Sequence, residues 1–296
     1  MAIPLIIDTD PGVDDAFALA LAARSPEVDL IGVTTVFGNV DLDHTTRNAR
    51  RLLKFLGHDA PVARGEAHPR GERKKRDAGD VHGDDGLSGL AHTLPEPTRP
   101  LDERDAVTFL RDTIEGTDAR VTVAAIGPLT NIAKLIEDHP ATASRIGRLV
   151  VMGGGLDEGN VTSTAEFNLW SDPEAAKTVL AKANPTLVTI DLTRRCAVYA
   201  DWLDLVGESG LGKILVGFAK QYREYFKGRT GKDGIVVHDA VAVAEAIVPG
   251  ILETKTYHLT TDDEGALKEG PHEIDVATGT DLDALREFLK DRLMRP

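Results

Sequence analysis

The sequence predicts an α/β fold built on a mostly parallel sheet with helices on both faces. Three observations lead there. Short apolar runs rich in Val, Ile and Leu alternate with longer segments of helical apolar spacing. Polar residues gather just after those runs, where open parallel sheets place their ligands. The chain has 296 residues, 42% hydrophobic and 28% charged, enough for a substantial core and ordinary for a globular protein.

The elements follow in order. Buried strands are expected over Ile3–Ile7, Leu30–Val36, Val121–Ile126, Leu149–Met152 and Leu187–Ile190, because each is a near-continuous apolar run. Between them, Asp14–Arg24, Leu42–Leu56, Glu103–Glu115, Leu129–Glu137 and Pro173–Ala183 carry helical spacing, the last closed by Asn184 and Pro185. After Asp191 helices dominate, over Ala200–Val206, Lys213–Phe226 and His238–Ile247. Strands near Lys255–Leu259 and His272–Val276 and a helix over Leu282–Leu293 finish the chain. Gly65–Pro100 is the least regular stretch, and its basic run RGERKKR (Arg70–Arg76) reads as a solvated loop rather than a phosphate or partner site. No repeat, low-complexity tract or interdomain linker is visible, so residues 1–296 read as a single domain.

Composition excludes several roles. Lys and Arg number 34 against 48 Asp and Glu, a formal charge of −14, which disfavours binding a nucleic-acid backbone. Cys196 is the single cysteine, so no intrachain disulfide can form. The start MAIPLIIDTD lacks a basic, then apolar, leader pattern, and no apolar run reaches membrane-spanning length. The expected address is the cytoplasm, with no membrane or nucleic-acid partner.

The chemistry concentrates in LIIDTDPGVDDAFALALAA, where Asp8, Asp10, Asp14 and Asp15 crowd a strand-to-helix turn. Two like charges about 4 Å apart repel by roughly 4 kcal/mol at an effective dielectric of about 20. The amino terminus of the following helix offsets only about 0.3–1 kcal/mol per group. Shared protons are one further remedy and a hard cation is the stronger one. A single Asp in such a turn reads as a helix cap, but four caps in one turn do not. All-oxygen ligands suit calcium, with magnesium as the competing ion.

Other polar residues sit at the ends of predicted strands or helices: Asn39 in FGNV, GPLTN at Gly127–Asn131, MGGG at Met152–Gly155, and His238-Asp239 opening a helix. Taken singly, Asp239 reads as a cap, and His82, Glu166 and Asn168 as loop polars. Together, DTDPGVDDA, FGNV, HGDDGLSG, GPLTNIA, VMGGG, GN…AEFN…DPEAA and VHDAVAV stand in the order found in the calcium-dependent nucleoside hydrolases. The chain closely resembles the inosine-uridine-preferring branch of that family, from the first strand to the helix after His238.

The resemblance implies a Rossmann-like fold with additional C-terminal helices, and hydrolysis of ribonucleosides to ribose and free base. It implies Ca2+ as cofactor, bound by Asp10, Asp15, Asp239 and the main-chain carbonyl of Ile126. Asp14 and Asn39 would grip the ribose 2′- and 3′-hydroxyls. Asn160, Glu166 and Asn168 would hold the 3′- and 5′-hydroxyl side, with Met152 beneath the sugar. His82 and His238 would lie near the base, Asp10 would act as general base, and His238 would protonate the departing base. The partner is a small nucleoside, and the expected assembly is a homodimer or homotetramer. Gln221–Asp233 would form a wall or lid whose Tyr222 and Tyr225 either touch the base or pack at helical spacing.

Two rival classes share these residues. Asp8-Thr9-Asp10 after an apolar strand imitates the nucleophile motif of aspartyl phosphohydrolases, although Gly12 stands where that motif continues with Thr or Val. A non-catalytic metal-dependent ribose or nucleoside binder would use the same pocket.

Overall fold

An extended chain points successive side chains to opposite faces, and Ile3–Thr9 does so visibly. Leu5 and Ile7 enter one apolar cluster while Ile6 enters the other. The computed structural model describes residues 2–71 and 78–295. Its strands are β1 (Ile3–Thr9), β2 (Val28–Thr35), β3 (Val62–Arg64), β4 (Thr122–Ala125), β5 (Arg148–Met152), β6 (Thr186–Val188), β7 (Val198–Tyr199), β8 (Gly234–Ile235), β9 (Glu253–Thr261), β10 (Leu267–Glu269) and β11 (His272–Gly279). The helices are α1 (Val13–Ala23), α2 (Leu42–Phe55), α3 (Gly79–His82), α4 (Ala106–Gly116), α5 (Thr130–Asp138), α6 (Pro140–Ala143) and α7 (Phe167–Ser171). They continue with α8 (Pro173–Lys182), α9 (Ile190–Thr193), α10 (Ala200–Val206), α11 (Gly210–Phe218), α12 (Lys220–Thr230), α13 (His238–Ile247) and α14 (Leu282–Met294).

Among the described residues, nine strands form one sheet in the order β10-β9-β11-β6-β5-β4-β1-β2-β3. The pairs from β11 through β3 are parallel, and β9 runs antiparallel to both β11 and β10. The expected mostly parallel sheet is therefore present, with an antiparallel edge. Ala124, Val150, Met152 and Val188 face the cluster that takes in α1, α13 and α14. Val123, Ala125, Leu149, Val151 and Leu187 face the cluster with α4, α5 and α8. Full burial of one such Leu, Ile or Val side chain is worth roughly 1.5–3 kcal/mol, so the sheet is stabilised from both faces.

β1 lies between β4 and β2, so the chain leaves β1 on one side and later returns on the other. A ligand crevice forms at such a reversal, beyond the carboxyl ends of the strands. Asp8 and Asp10 lie at the end of β1, Asn39 follows β2, Ile126 follows β4, and Met152 closes β5. The topology thus brings distant segments to one rim.

Several boundaries differ from expectation. The helix expected over Lys213–Phe226 is two helices, α11 and α12, separated at Ala219. The break is stabilised from elsewhere: the Ser88 hydroxyl donates to the Phe218 carbonyl at 2.5 Å, taking an acceptor that a continuous helix would use itself. The strand expected to reach Ile190 ends at Val188, and Ile190 instead opens α9 with its N–H donating to the Gly154 carbonyl. α4 starts at Ala106 because Asp105 caps it, accepting from Thr108 N–H at 2.8 Å. Of the basic run, Arg70 pairs with Glu137, and residues 72–76 lie outside those described.

Candidate active site

The site begins with the turn between β1 and α1. Asp15 at the third helical position reaches back to accept from Gly12 N–H at 2.8 Å, and its other oxygen accepts from the Thr9 hydroxyl at 2.5 Å. Asp14 and Asp15 occupy the first turn of α1, where the helix dipole favours negative charge. Asp10 is buried between segments: Oδ2 accepts from Asn39 N–H at 2.8 Å, and the Asn39 side chain donates to the Asp10 carbonyl at 3.1 Å. The remaining Asp10 oxygen, Oδ1, is buried without a partner. A Cβ at position 127 would stand 2.5 Å from that oxygen, which is why glycine opens GPLTN.

α13 delivers Asp239 to the same place. Single oxygens of Asp14, Asp15 and Asp239 lie within 4.8 Å of one another, all three buried. Burial and mutual repulsion push these carboxyls up. Asp14 rises to about 8, through burial and then the charge of Asp15. Asp10 is held well above its ordinary range by burial and then Asp15. Asp239 is held well above it by burial and then Asp14, Asp15 and Asp10. Three carboxyl groups so close together and so deeply buried retain at least one proton between them. A divalent cation would displace that proton. The donor set, all oxygen with an orphaned buried Oδ1, fits a hard metal ion. The Ile126 carbonyl, the remaining expected ligand, accepts from Asn168 Nδ2 at 3.0 Å and keeps a second lone pair.

Above this floor opens a cavity of about 660 Å³, within the usual range for small-molecule sites. Asp14, Asn39, His82, Ile126, Met152, Asn160, Glu166, Asn168, His238 and Asp239 all line it, whereas Asp10 and Asp15 lie beneath. The twelve residues singled out in the sequence are therefore brought together. Asn160 is the exposed one, at the rim, where its Oδ1 accepts from Phe167 N–H at 2.9 Å. Glu166 caps α7 by accepting from Asn168 and Leu169 N–H, and also accepts from Gly154 N–H at 2.8 Å. Burial still raises its pKa. Asn168 Nδ2 spans the carbonyls of Ile126 and Met152, tying the ends of β4 and β5 together.

The two histidines have different supports. His82 Nδ1 accepts from Val13 N–H at 3.0 Å, so the ring proton sits on Nε2. Burial pushes its pKa down to about 4, so its 4.0 Å approach to Asp14 is a contact of a neutral imidazole and not an ion pair. His238 Nδ1 lies 2.6 Å from the Thr193 hydroxyl. Burial, then Arg194 and His82, push it down to about 3. It too is neutral at pH 7, unlike an ordinary imidazole. Tyr222 packs edge-on to His82 at 5.8 Å, and both Tyr222 and Tyr225 line the cavity.

Sequence reasoning passed over Thr193 and Arg194. Arg194 lines the cavity, pairs with Glu158 and donates to the Gly159 carbonyl at 2.9 Å. Both residues follow the carboxyl end of β6 and were findable by the rule that located Asn39 and Met152. Asp8 departs from the phosphohydrolase reading. It is fully buried outside the cavity lining, and its Oδ1 accepts from Thr34 Oγ1 and Asn131 Nδ2. Burial raises it to about 6, and no phosphate ester could reach it.

Comparison with known proteins agrees with this geometry. A family model described as inosine-uridine preferring nucleoside hydrolase matches residues 5–287. Uridine nucleosidase 1 of Arabidopsis thaliana is 35% identical over 99% of this chain and 93% of its own length. The non-specific ribonucleoside hydrolase RihC of Escherichia fergusonii is 37% identical over 93% of this chain and 89% of its own. The solved structure of a plant nucleoside hydrolase, PpNRh1, superposes with a TM-score of 0.93 at 32% identity, covering 100% of both chains. On the motifs, the cavity and these matches, the chain belongs to the inosine-uridine preferring nucleoside hydrolase family.

Proposed function

We propose that this chain hydrolyses the N-glycosidic bond of ribonucleosides of the inosine, uridine and cytidine class, with Asp10 as general base and calcium in the acidic floor. Membership of the family supports the reaction. The observation that carries the assignment of roles is the buried, unpartnered Asp10 Oδ1 beneath a cavity walled by Asp14, Asp239, Glu166 and two neutral histidines.

Glycoside cleavage develops positive charge on the sugar in an oxocarbenium-like transition state. Buried carboxylates beneath the ribose stabilise that charge electrostatically. Calcium, held by Asp10, Asp15, Asp239 and the Ile126 carbonyl, would neutralise the cluster, orient the ribose diol and lower the pKa of the attacking water. Asp10 has one oxygen fixed by Asn39 N–H and the other free to accept the proton of that water. Asp14 and Asn39 hold the 2′- and 3′-hydroxyls, and Asn160, Glu166 and Asn168 hold the 3′- and 5′-hydroxyl side above Met152. His82, with its proton on Nε2, donates toward the base, and His238 assists its departure. Direct attack by water inverts the anomeric carbon.

We place the enzyme in the cytoplasm, as a chain with one cysteine and no intrachain disulfide would suit, and expect a homodimer or homotetramer by light scattering. Among the described residues no helix is long and apolar enough to cross a membrane.

The test is a panel of inosine, uridine, cytidine and adenosine, following reducing sugar and free base. Release of ribose, first as the α-anomer by NMR, supports the reading. Binding of nucleosides without release would make the chain a binding module instead.

A further inference from the structure

The two ends of the bond to be broken are served by different parts of the chain. The sugar end rests on the turn Asp10–Asp15, and the base end, on the reading above, faces His82 in a loop some seventy residues later. Something must set the distance between these two segments. Asn48 lies in α2, is 1% exposed and does not line the cavity. Its Nδ2 donates to the Pro11 carbonyl at 3.1 Å and to the Asp85 carbonyl at 2.8 Å, using both amide hydrogens.

Both acceptors are well placed to transmit position. Pro11 stands between Asp10 and the Gly12 N–H that binds Asp15. Asp85 is the organiser of the His82 loop: its carboxylate accepts from Leu87, Gly89 and Ala91 N–H at 2.8–2.9 Å. Gly86 makes the approach possible. Its φ is +83°, and a Cβ there would stand 2.9 Å from both Asn48 Nδ2 and the Pro11 carbonyl. A direct bond across the same gap, Val13 N–H to His82 Nδ1, fixes the ring's tautomer. That bond forms only when the two segments are in register.

We propose that Asn48 is a positioning residue that sets the spacing between the sugar-binding turn and the base-facing His82, and so acts on catalysis through His82. This rests on the reading that His82 faces the base. Removing both donors leaves two carbonyls converging on nothing and lets the His82 loop drift from the turn. A reactive geometry is sensitive to displacements near 1 Å.

The test is a double-mutant cycle with uridine. Asn48→Leu, close in volume and without a polar side-chain atom, removes both donors and should lower kcat at least tenfold in the otherwise native chain. In the His82→Ala background it should lower kcat less than twofold. Calcium affinity should move less than twofold, and the imidazole 15N shifts of His82 should change from a single Nε2–H tautomer to a mixture. If circular dichroism shows Asn48→Leu unfolded, Asn48→Ser, which keeps one donor, should give a smaller loss with the same dependence on His82. Equal losses in both backgrounds, or a loss under twofold in the native background, would overturn the proposal. If His82→Ala alone left kcat unchanged, the base-facing reading of His82 would fall, and this proposal with it.

Discussion

In the proposed mechanism the chemistry turns on Asp10. Its surroundings leave one oxygen engaged and the other buried and free. Asp10→Asn keeps the shape but removes the base. It should lower kcat by about 10²–10⁴ in steady-state assays, the usual contribution of a general base. His238 presents a sharper question, because its pKa of about 3 leaves it neutral where a proton donor is wanted. If it assists the leaving base, His238→Ala should slow inosine hydrolysis much more than hydrolysis of a nitrophenyl riboside, whose leaving group needs no proton. Equal slowing would remove that role.

At the scale of elements, the site was legible where the chemistry is local and obscure where it is not. Asp8 to Asp15 lie in one strand-to-helix turn, and Asn39, Ile126 and Met152 follow strands that announce themselves as apolar runs, so position along the chain located them. The break at Ala219 was hidden because the hydroxyl that stabilises it belongs to Ser88, 130 positions away. β3 and β10 were missed because three residues carry too few alternations to register; β6, equally short, showed only because its apolar run continues to Ile190. α13 shows how an element is placed for function: Glu245, near its far end, accepts from Gly250 and Leu252 N–H and pairs with Arg148. Glu245→Ala should cost about 1–3 kcal/mol in denaturant unfolding, by leaving those donors unpaired. Asp239 at the other end of α13 should still bind metal, so calcium affinity would change little.

For the whole molecule, the acidic floor is a liability whenever no cation neutralises it. Asp8 and Asp14, raised from 3.8 to about 6 and about 8, hold protons that the unfolded chain gives up. The native state then binds more protons, so this contribution to stability is complete below pH 3.8 and is lost as pH rises through about 8. The depressed histidines act in the opposite sense, losing stability as pH falls below 6.5, and are silent above it. The metal-free protein should therefore lose Tm between pH 6.5 and 8. Calcium should remove most of that loss, and its binding at pH 7 should release protons detectable by calorimetry in buffers of different ionisation enthalpy.

Sugar release against calcium is the most direct measurement of the central claim, that a divalent ion in the buried acidic turn makes the ribose site work. Protein stripped with chelator and assayed on uridine and inosine should release no reducing sugar, and calcium added back should restore the full rate at one ion per chain. An unchanged rate in excess chelator, with no ion bound to the protein, would contradict it.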